Sequence, residues 1–347
     1  MVHMPTGDEW RAHRKLMADT MSNSFLQDVI GPQIHSTALT MVELWRQKTR
    51  LARSHPFDAT KDVYKGALDA IWAATFGSEA GTTQKQLELL SSKDSIDPSR
   101  SFDEPVTFPT AKDPDAFTAL MTLSDSIEVA MNSPVPRWHH WLVLKLTPRL
   151  RTALKHKDDL VTKHLQRSWE KFCEPEKQSD VNLKSAMDLV VQREVIMAEK
   201  EGRPAQYDTI AIRDELVGFL IAGHETTSST VCWMFKFLTE HQDVQIKLRQ
   251  ALNEAFQRAK GAGETPAVDE IFKANIPYLD ATIEEALRCG GTVSSNIRRA
   301  KEDAVVLGHV IPKGTDLFMV CLAATRVRNS ILIPLGYQRT WVRRATT

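Results

Sequence analysis

The chain has 347 residues, and its 44 lysines and arginines balance 44 aspartates and glutamates, so the formal net charge is zero. A neutral chain lacks the basic excess of proteins that bind nucleic acids, which excludes a nucleic-acid partner. Its 42% of hydrophobic and 25% of charged residues exclude wholesale disorder, and four cysteines are too few for a disulfide scaffold.

The sequence carries no membrane or targeting signal that we recognise. No stretch approaches 18 consecutive apolar residues, so no transmembrane helix is predicted. The first ten residues, MVHMPTGDEW, have neither the apolar core of a signal peptide nor the Arg/Ser bias of a transit peptide. A chain expressed as it stands is therefore expected to be cytoplasmic. Because a helical pattern starts almost at once, we also expect that preceding structure is missing.

Most of the elements predicted in chain order are helices. An acidic-then-basic run after Gly7 indicates a helix start, and residues 91–115 form a loop rich in Ser, Asp and Pro. Pro134, Pro136 and Pro148 are expected to break the chain before a helix at about 149. Apolar spacing predicts helices over about 24–54, 58–76, 116–131, 149–172, 181–200, 208–240, 242–260 and 277–289. Short strands are predicted over about 297–310 and 317–320, separated by the turn at 311–315.

A polar segment, AGHETTSST at 222–230, interrupts the apolar pattern of the long 208–240 helix. A glycine within a helix costs about 1 kcal/mol relative to alanine, and Ser and Thr hydroxyls can bond backbone carbonyls and bend a helix. Apolar flanks on both sides indicate that the segment is buried. It is either a proton relay over a kinked helix or a Thr-rich helix that packs closely through Gly223. A zinc protease is excluded, because the second histidine would stand at 228, which is serine.

Two further pairs have the spacing of neighbours on a helix. Trp10 and Arg14, four residues apart, would present an indole N–H and a guanidinium to one anion; the alternative is an amphipathic basic helix. Glu285 and Arg288, three residues apart, can form an ion pair.

The order of these motifs resembles that of the cytochrome P450 family of haem-thiolate monooxygenases. W-x-x-x-R is followed by A-G-x-E-T-T, by IPYLDATIEEALR and by a strand region that ends in IPKGT, over residues 7–320. The stretch HPFDATKDVYKGALDAIWAATFG at 55–77 resembles filamentous-fungal members of the family. The resemblance implies a mainly α fold with a small β-sheet region near the C-terminus. It also implies a haem-dependent oxidoreductase that inserts one oxygen atom into a lipophilic small molecule, as in fungal secondary metabolism. The implied electron donor is an NADPH reductase, and whole fungal members are endoplasmic-reticulum membrane proteins.

The resemblance also assigns roles to the residues that match its motifs. Trp10, Arg14 and Arg298 are implied to contact the haem propionates, which are anions that buried donors satisfy. Glu285 and Arg288 are implied to stabilise the core on the proximal side of the haem.

The polar segment of the long helix matches the groove in which the family activates oxygen. Ala222 and Gly223 are implied to border the haem there. Glu225 and Thr226 are implied to be catalytic, because they can shuttle protons into a dry pocket.

One signature of the family does not occur in the chain. The haem-binding loop, F-x-x-G-x-x-x-C-x-G, whose cysteine thiolate ligates the iron, has no match after IPKGT. Cys173, Cys232, Cys289 and Cys321 are each predicted to be buried structural thiols, so no metal ligand is assigned.

We therefore expect a monooxygenase domain truncated at both ends, spanning 1–322, followed by an atypical basic tail at 323–347 outside the fold. Residues 326–347 hold five arginines and no acidic residue. A reading-frame shift, an unspliced intron or a premature stop would explain this composition, and a partner-binding tail is the alternative.

A chain of this kind is expected to bind haem weakly, to have low stability and to catalyse little or no monooxygenation. The alternative function is that of a non-catalytic helical scaffold or interaction protein derived from a monooxygenase. A helical protein with chance motifs is a third interpretation, which the four ordered matches disfavour.

Overall fold

A computed structural model describes residues 4, 6–53, 55–96, 101, 104–131, 133–173, 183–293 and 295–320 of the chain. The chain divides into two compact units, Met1–Glu225 and Thr226–Thr347. The predicted tail at 323–347 and Cys321 lie outside the described residues, so the proposed boundary at 322 stays a prediction.

The first unit is built of helices. It begins with α1 (Asp8–Met17), a 3₁₀ turn (Ala18–Met21), the short helix α2 (Asn23–Phe25) and a π-helical segment (Leu26–Ile30). The helices that follow are α3 (Gly31–Ala52), α4 (Thr60–Phe76), α5 (Thr82–Ser91), α6 (Asp115–Met131), α7 (Pro136–Leu146), α8 (Pro148–Phe172) and α9 (Ala186–Glu201). The long helix α10 (Ile210–Glu240) starts in this unit and continues into the second.

The main core of the first unit joins α1, α4, α6, α8, α9 and the start of α10. Its fully buried side chains include Leu165, Phe172, Val191, Leu216 and Leu220. Burying one such side chain stabilises the fold by about 1.5–3 kcal/mol, so this cluster fixes how the helices of the unit pack. The start of α10 is therefore anchored in this core.

Among its described residues, the second unit combines short helices with two small sheets. Its helices are α11 (Gln242–Ala255), α12 (Gln257–Ala262), α13 (Val268–Lys273) and α14 (Pro277–Gly290). Strand β1 (Ser295–Arg299) pairs antiparallel with β4 (Asp316–Val320), and β2 (Ala304–Val306) with β3 (His309–Ile311). The mainly α fold with small sheets near the C-terminus agrees with the expectation from sequence.

Several boundaries differ from those predicted. Pro136 and Pro148 occupy the first positions of α7 and α8, where the missing N–H costs no hydrogen bond. Pro148 thus begins a new helix close to the predicted start at 149, whereas Pro136 opens a helix where an interruption was predicted. Helix α5 was not predicted; Asp69 supports its start by accepting hydrogen bonds from both Thr82 and Thr83. The predicted 242–260 helix is divided at Phe256 into α11 and α12. Across the residues that the structure describes, no helix is long and apolar enough to cross a bilayer.

Candidate functional site

The polar segment of α10 is helical throughout, and its residues divide between two faces. His224 and Ser228, four residues apart, are buried, whereas Ala222, Glu225 and Thr226 are exposed. The Glu225 side chain is 59% exposed. The expectation that the whole segment is buried is therefore wrong. Apolar residues before and after the segment predict burial only for those of its side chains that lie on the same face of the helix.

Gly223 of α10 packs directly against Ile71 of α4. A Cβ atom at this position would lie 2.8 Å from both Cδ1 and Cγ1 of Ile71, closer than such atoms approach in real proteins. Glycine is therefore required by packing, as the second interpretation of this segment proposed.

His224 is held against α4 on the buried face. Its ring meets Tyr64 edge to face, with 5.6 Å between centroids, and it hydrogen-bonds the Tyr64 backbone. Burial lowers the pKa of His224 below its usual range, so the imidazole is neutral at pH 7. Nδ1 lies 3.7 Å from a carboxylate oxygen of Glu225. The exposed carboxylate of Glu225 is thus next in the chain to His224, which is packed against α4.

A hydroxyl in the same segment bonds the helix backbone. Thr230 Oγ1 donates to the carbonyl oxygen of Thr226 at 2.8 Å. This is the hydroxyl-to-backbone contact expected of threonines in a helix, and it adds a second donor to that carbonyl.

Trp10 and Arg14 lie together on α1. The Arg14 guanidinium carbon is 5.2 Å from the centroid of the Trp10 ring, a cation–π contact that orients both groups. Arg14 is exposed and Trp10 is half-buried. Their N–H groups are of the kind that binds a carboxylate.

Helix α1 is joined to α10 by a pair that sequence reasoning missed. His13 Nδ1 and Glu215 Oε1 are 2.8 Å apart, with side chains 15% and 8% exposed. The two residues are separated by 202 positions in the chain, and no local pattern relates them.

Glu285 and Arg288 form a two-pronged ion pair on α14. Arg288 donates from Nε to one carboxylate oxygen at 2.7 Å and from a terminal nitrogen to the other at 2.6 Å. Both side chains are about a third exposed, and the carboxylate raises the pKa of Arg288. The Cys289 sulfur lies 3.1 Å from the same guanidinium.

Arg298 occupies β1, opposite Leu317 of β4, and its side chain is exposed. The ion pair in this strand belongs to its neighbour, because Arg299 donates to both carboxylate oxygens of Asp316 at 2.7 and 2.8 Å.

The predicted site residues thus fall in both units. Trp10, Arg14, Ala222, Gly223 and Glu225 belong to the first unit. Thr226, Glu285, Arg288 and Arg298 belong to the second.

Comparisons with known proteins define the class. The family model of cytochrome P450 matches residues 1–328, and the chain belongs to that family of haem-thiolate monooxygenases. It is 41% identical over 319 residues to cytochrome P450 monooxygenase GME11363 of Pestalotiopsis microspora, covering 91% of this chain and 55% of that protein. It is 35% identical over 327 residues to cytochrome P450 monooxygenase TRI13 of Fusarium sporotrichioides, covering 92% of this chain and 55% of that protein. The chain therefore spans about half the length of these fungal relatives.

The fold is also found in a solved structure. The heme domain of a cytochrome P450DA mutant is similar with a TM-score of 0.61 at 17% identity, covering 98% of this chain and 64% of that one. At this identity the likeness concerns the fold alone. The family supplies haem as the cofactor, which is the one predicted.

The described residues suit the carboxylates of haem better than they suit its iron. Trp10 and Arg14 offer N–H donors suited to its carboxylates. The cysteines fit less well: Cys173 is exposed, so the prediction that it is buried is wrong, and Cys232 and Cys289 are only half-buried. Cys173 ends α8, where its sulfur contacts the carbonyl oxygen of Glu170 at 3.6 Å. Within the described ranges, no three His, Cys, Asp or Glu residues are grouped as metal ligands.

Proposed function

We propose that this chain is part of a fungal monooxygenase of secondary metabolism that oxidises a lipophilic small molecule with electrons from an NADPH reductase. The observation that carries the proposal is the division of α10 into a packed face and an exposed face. His224 and Gly223 fix the helix against α4, which leaves Ala222 and Glu225 exposed. The name of one relative, a cytochrome P450 monooxygenase of the Hps1-dma1 cluster of Dothistroma septosporum, supports the metabolic context.

In this proposal each side chain has a defined task. Trp10 and Arg14 would contact a haem propionate, and Arg298 would supply another propionate contact. Glu225 and Thr226, on the exposed face of α10, would shuttle protons through their carboxylate and hydroxyl groups. Haem, when bound, supplies the iron at which dioxygen reacts in this family. Glu285 and Arg288 would stabilise the core on the proximal side of the haem.

We further propose that the 347-residue polypeptide by itself binds haem weakly and catalyses little or no monooxygenation. None of its four cysteines stands in an F-x-x-G-x-x-x-C-x-G segment. Without that thiolate, haem would be held by its carboxylates and by apolar contacts alone, and electron donation to the iron would be lost.

The test is the carbon-monoxide difference spectrum of the purified polypeptide, reduced after addition of haem. We expect haem to associate without the Soret shift that thiolate ligation produces. Arg14→Ala should weaken the association, and Arg11→Ala, on the same helix, is its matched control. A thiolate-type shift would show that one of the four cysteines ligates the iron. No haem association by the unaltered polypeptide would favour the non-catalytic scaffold.

A further inference from the structure

The contact between His13 and Glu215 joins the two helices of the first unit that carry candidate site residues. The 2.8 Å separation is that of a good hydrogen bond, and both side chains are largely shielded from water. A carboxylate oxygen accepts, so the contact is a hydrogen bond in the imidazole tautomer that carries its proton on Nδ1. A buried contact with a charged acceptor is stronger than an exposed one and tolerates little displacement.

Helix α1 depends on such contacts for its position. It has ten residues, fewer than a helix needs to be stable in water by itself. Its inner stripe consists of His13 and of Met17, one turn later, which belongs to the main core cluster. Trp10 and Arg14 form the adjacent stripe: Trp10 precedes His13 by three positions, and Arg14 precedes Met17 by three. Any tilt or rotation of α1 would therefore displace both donors.

The position of Glu215 on α10 links this contact to the exposed face of that helix. Ala222 follows Glu215 by seven residues, about two helical turns or 10 Å, so both lie on the same side of the helix. Glu215 is adjacent to Leu216, which is completely buried in the main core. The Glu215 carboxylate is thus held on a packed segment of α10, on the same side of the helix as Ala222 of the predicted dioxygen groove.

We propose that His13 and Glu215 are positioning residues, which fix α1 on α10 and so set where Trp10 and Arg14 meet the carboxylates of the cofactor. This inference rests on the proposed function, because it takes the propionate role of Trp10 and Arg14 as given. Neither residue touches the cofactor in this scheme; both act through the placement of α1.

The first experiment measures the placement of α1 without any cofactor. Amide hydrogen exchange of residues 8–17 is followed by mass spectrometry in the unaltered chain and in His13→Ala. We expect exchange in this segment to rise about tenfold while the segments of α4 and α8 keep their protection. His13→Gln, whose amide N–H can reach the carboxylate, should recover most of the protection. Unchanged exchange of residues 8–17 in His13→Ala would overturn the proposal.

The second experiment tests the consequence for carboxylate recognition. Dissociation constants are measured for haem and for haem dimethyl ester, whose carboxylates are esterified, by quenching of tryptophan fluorescence in the same detergent. We expect the unaltered chain to bind haem at least about fivefold more tightly than the ester, the gain expected of one charge-assisted contact. In His13→Ala and Glu215→Ala this ratio should fall towards one, and His13→Gln should restore it.

Glu194→Gln is the matched control. Glu194 is a largely buried carboxylate of the same unit, paired with Arg203 at 2.6 Å, so its loss should lower stability without changing the ratio. An unaltered ratio in His13→Ala, with haem bound by the parent chain, would overturn the positioning role alone. Equal affinities for haem and its ester in the parent chain would instead overturn the propionate role, and the positioning role with it.

Discussion

Gly223 packs so tightly against Ile71 that a single added carbon would lie 2.8 Å from two atoms of the isoleucine side chain. Alanine is favoured over glycine by about 1 kcal/mol within a helix, so local preference alone predicts that Gly223→Ala stabilises the chain. Overpacking of a close contact costs about 1–3 kcal/mol and should outweigh this gain. We therefore expect Gly223→Ala to lower the free energy of unfolding, as measured in urea. Ile71→Val in the same chain should recover part of the loss, and additive effects of the two substitutions would contradict the contact.

The buried ion pair between α3 and α4 gives a second prediction. Lys48 Nζ lies 2.6 Å from Asp62 Oδ2, both side chains are under 10% exposed, and Trp45 Nε1 donates to the same oxygen at 3.0 Å. Asp62→Ala leaves the ammonium group of Lys48 buried without its carboxylate, and we expect a loss of about 3–5 kcal/mol in urea unfolding.

The exposed pair of Glu43 and Arg46 on α3 is the control for this substitution. Its atoms are 3.1 Å apart and both side chains are well exposed, so Glu43→Ala should change stability by no more than about 1 kcal/mol. Similar losses in the two variants would show that burial does not decide the strength of the Lys48–Asp62 pair.

The stability of the first unit should fall in mild acid because of His164. Burial, assisted by the charges of Arg167 and Lys163, lowers the pKa of His164 to about 4, and its ring lies against Phe76. The unfolded chain keeps a value of about 6.5. Because the folded pKa is the lower one, the contribution is complete above pH 6.5 and is lost as the pH falls from 6.5 towards 4, where the unfolded state binds the proton first.

The group is partly accessible to solvent, so we expect this loss to be about 1–2 kcal/mol. Urea unfolding of the unaltered chain and of His164→Gln, at pH 7.5 and 4.5, isolates it from the titration of the carboxylates. The stability of the variant should depend less on pH, and equal pH dependence would refute the assignment.

The two-pronged pair on α14 should require an arginine. Lysine keeps the charge of Arg288 but cannot donate to both oxygens of Glu285 in the observed plane. We expect Arg288→Lys to lower the unfolding free energy by about 1 kcal/mol, since the pair is partly exposed. Lys236→Arg, an exposed position of the same unit, is the control, and a fully stable Arg288→Lys variant would show that charge alone suffices.

The sequence predicts those helices that are determined by the residues within them and at their ends. Helix α1 follows from its acidic-then-basic run, and helices α4, α9 and α14 follow from apolar spacing and from their terminal residues. Gly77 and Gly202 end α4 and α9 with positive φ angles of 67° and 64°. Helix α7 does not follow from the sequence pattern, because its aromatic side chains are exposed and give no inward stripe, and because Pro134, Pro136 and Pro148 indicate interruptions on both sides of it.

The candidate site was only partly predictable for a related reason. The spacing of Glu285 and Arg288 predicts their contact, because one turn of helix brings them together. Which face of the 222–230 segment is buried depends on α4, which lies about 150 positions earlier. The contact of His13 with Glu215 likewise follows from tertiary packing that no period in the sequence encodes.

The two faces of α10 should also differ in how they accept variation. A library that randomises Gly223, His224 and Ser228 will lose most members to misfolding, because these positions are limited by volume. Randomising Ala222 and Glu225 leaves the packing intact, so the survivors would differ in chemistry. An engineer who wishes to redirect such a scaffold can therefore change one side of a single helix and treat the other as fixed.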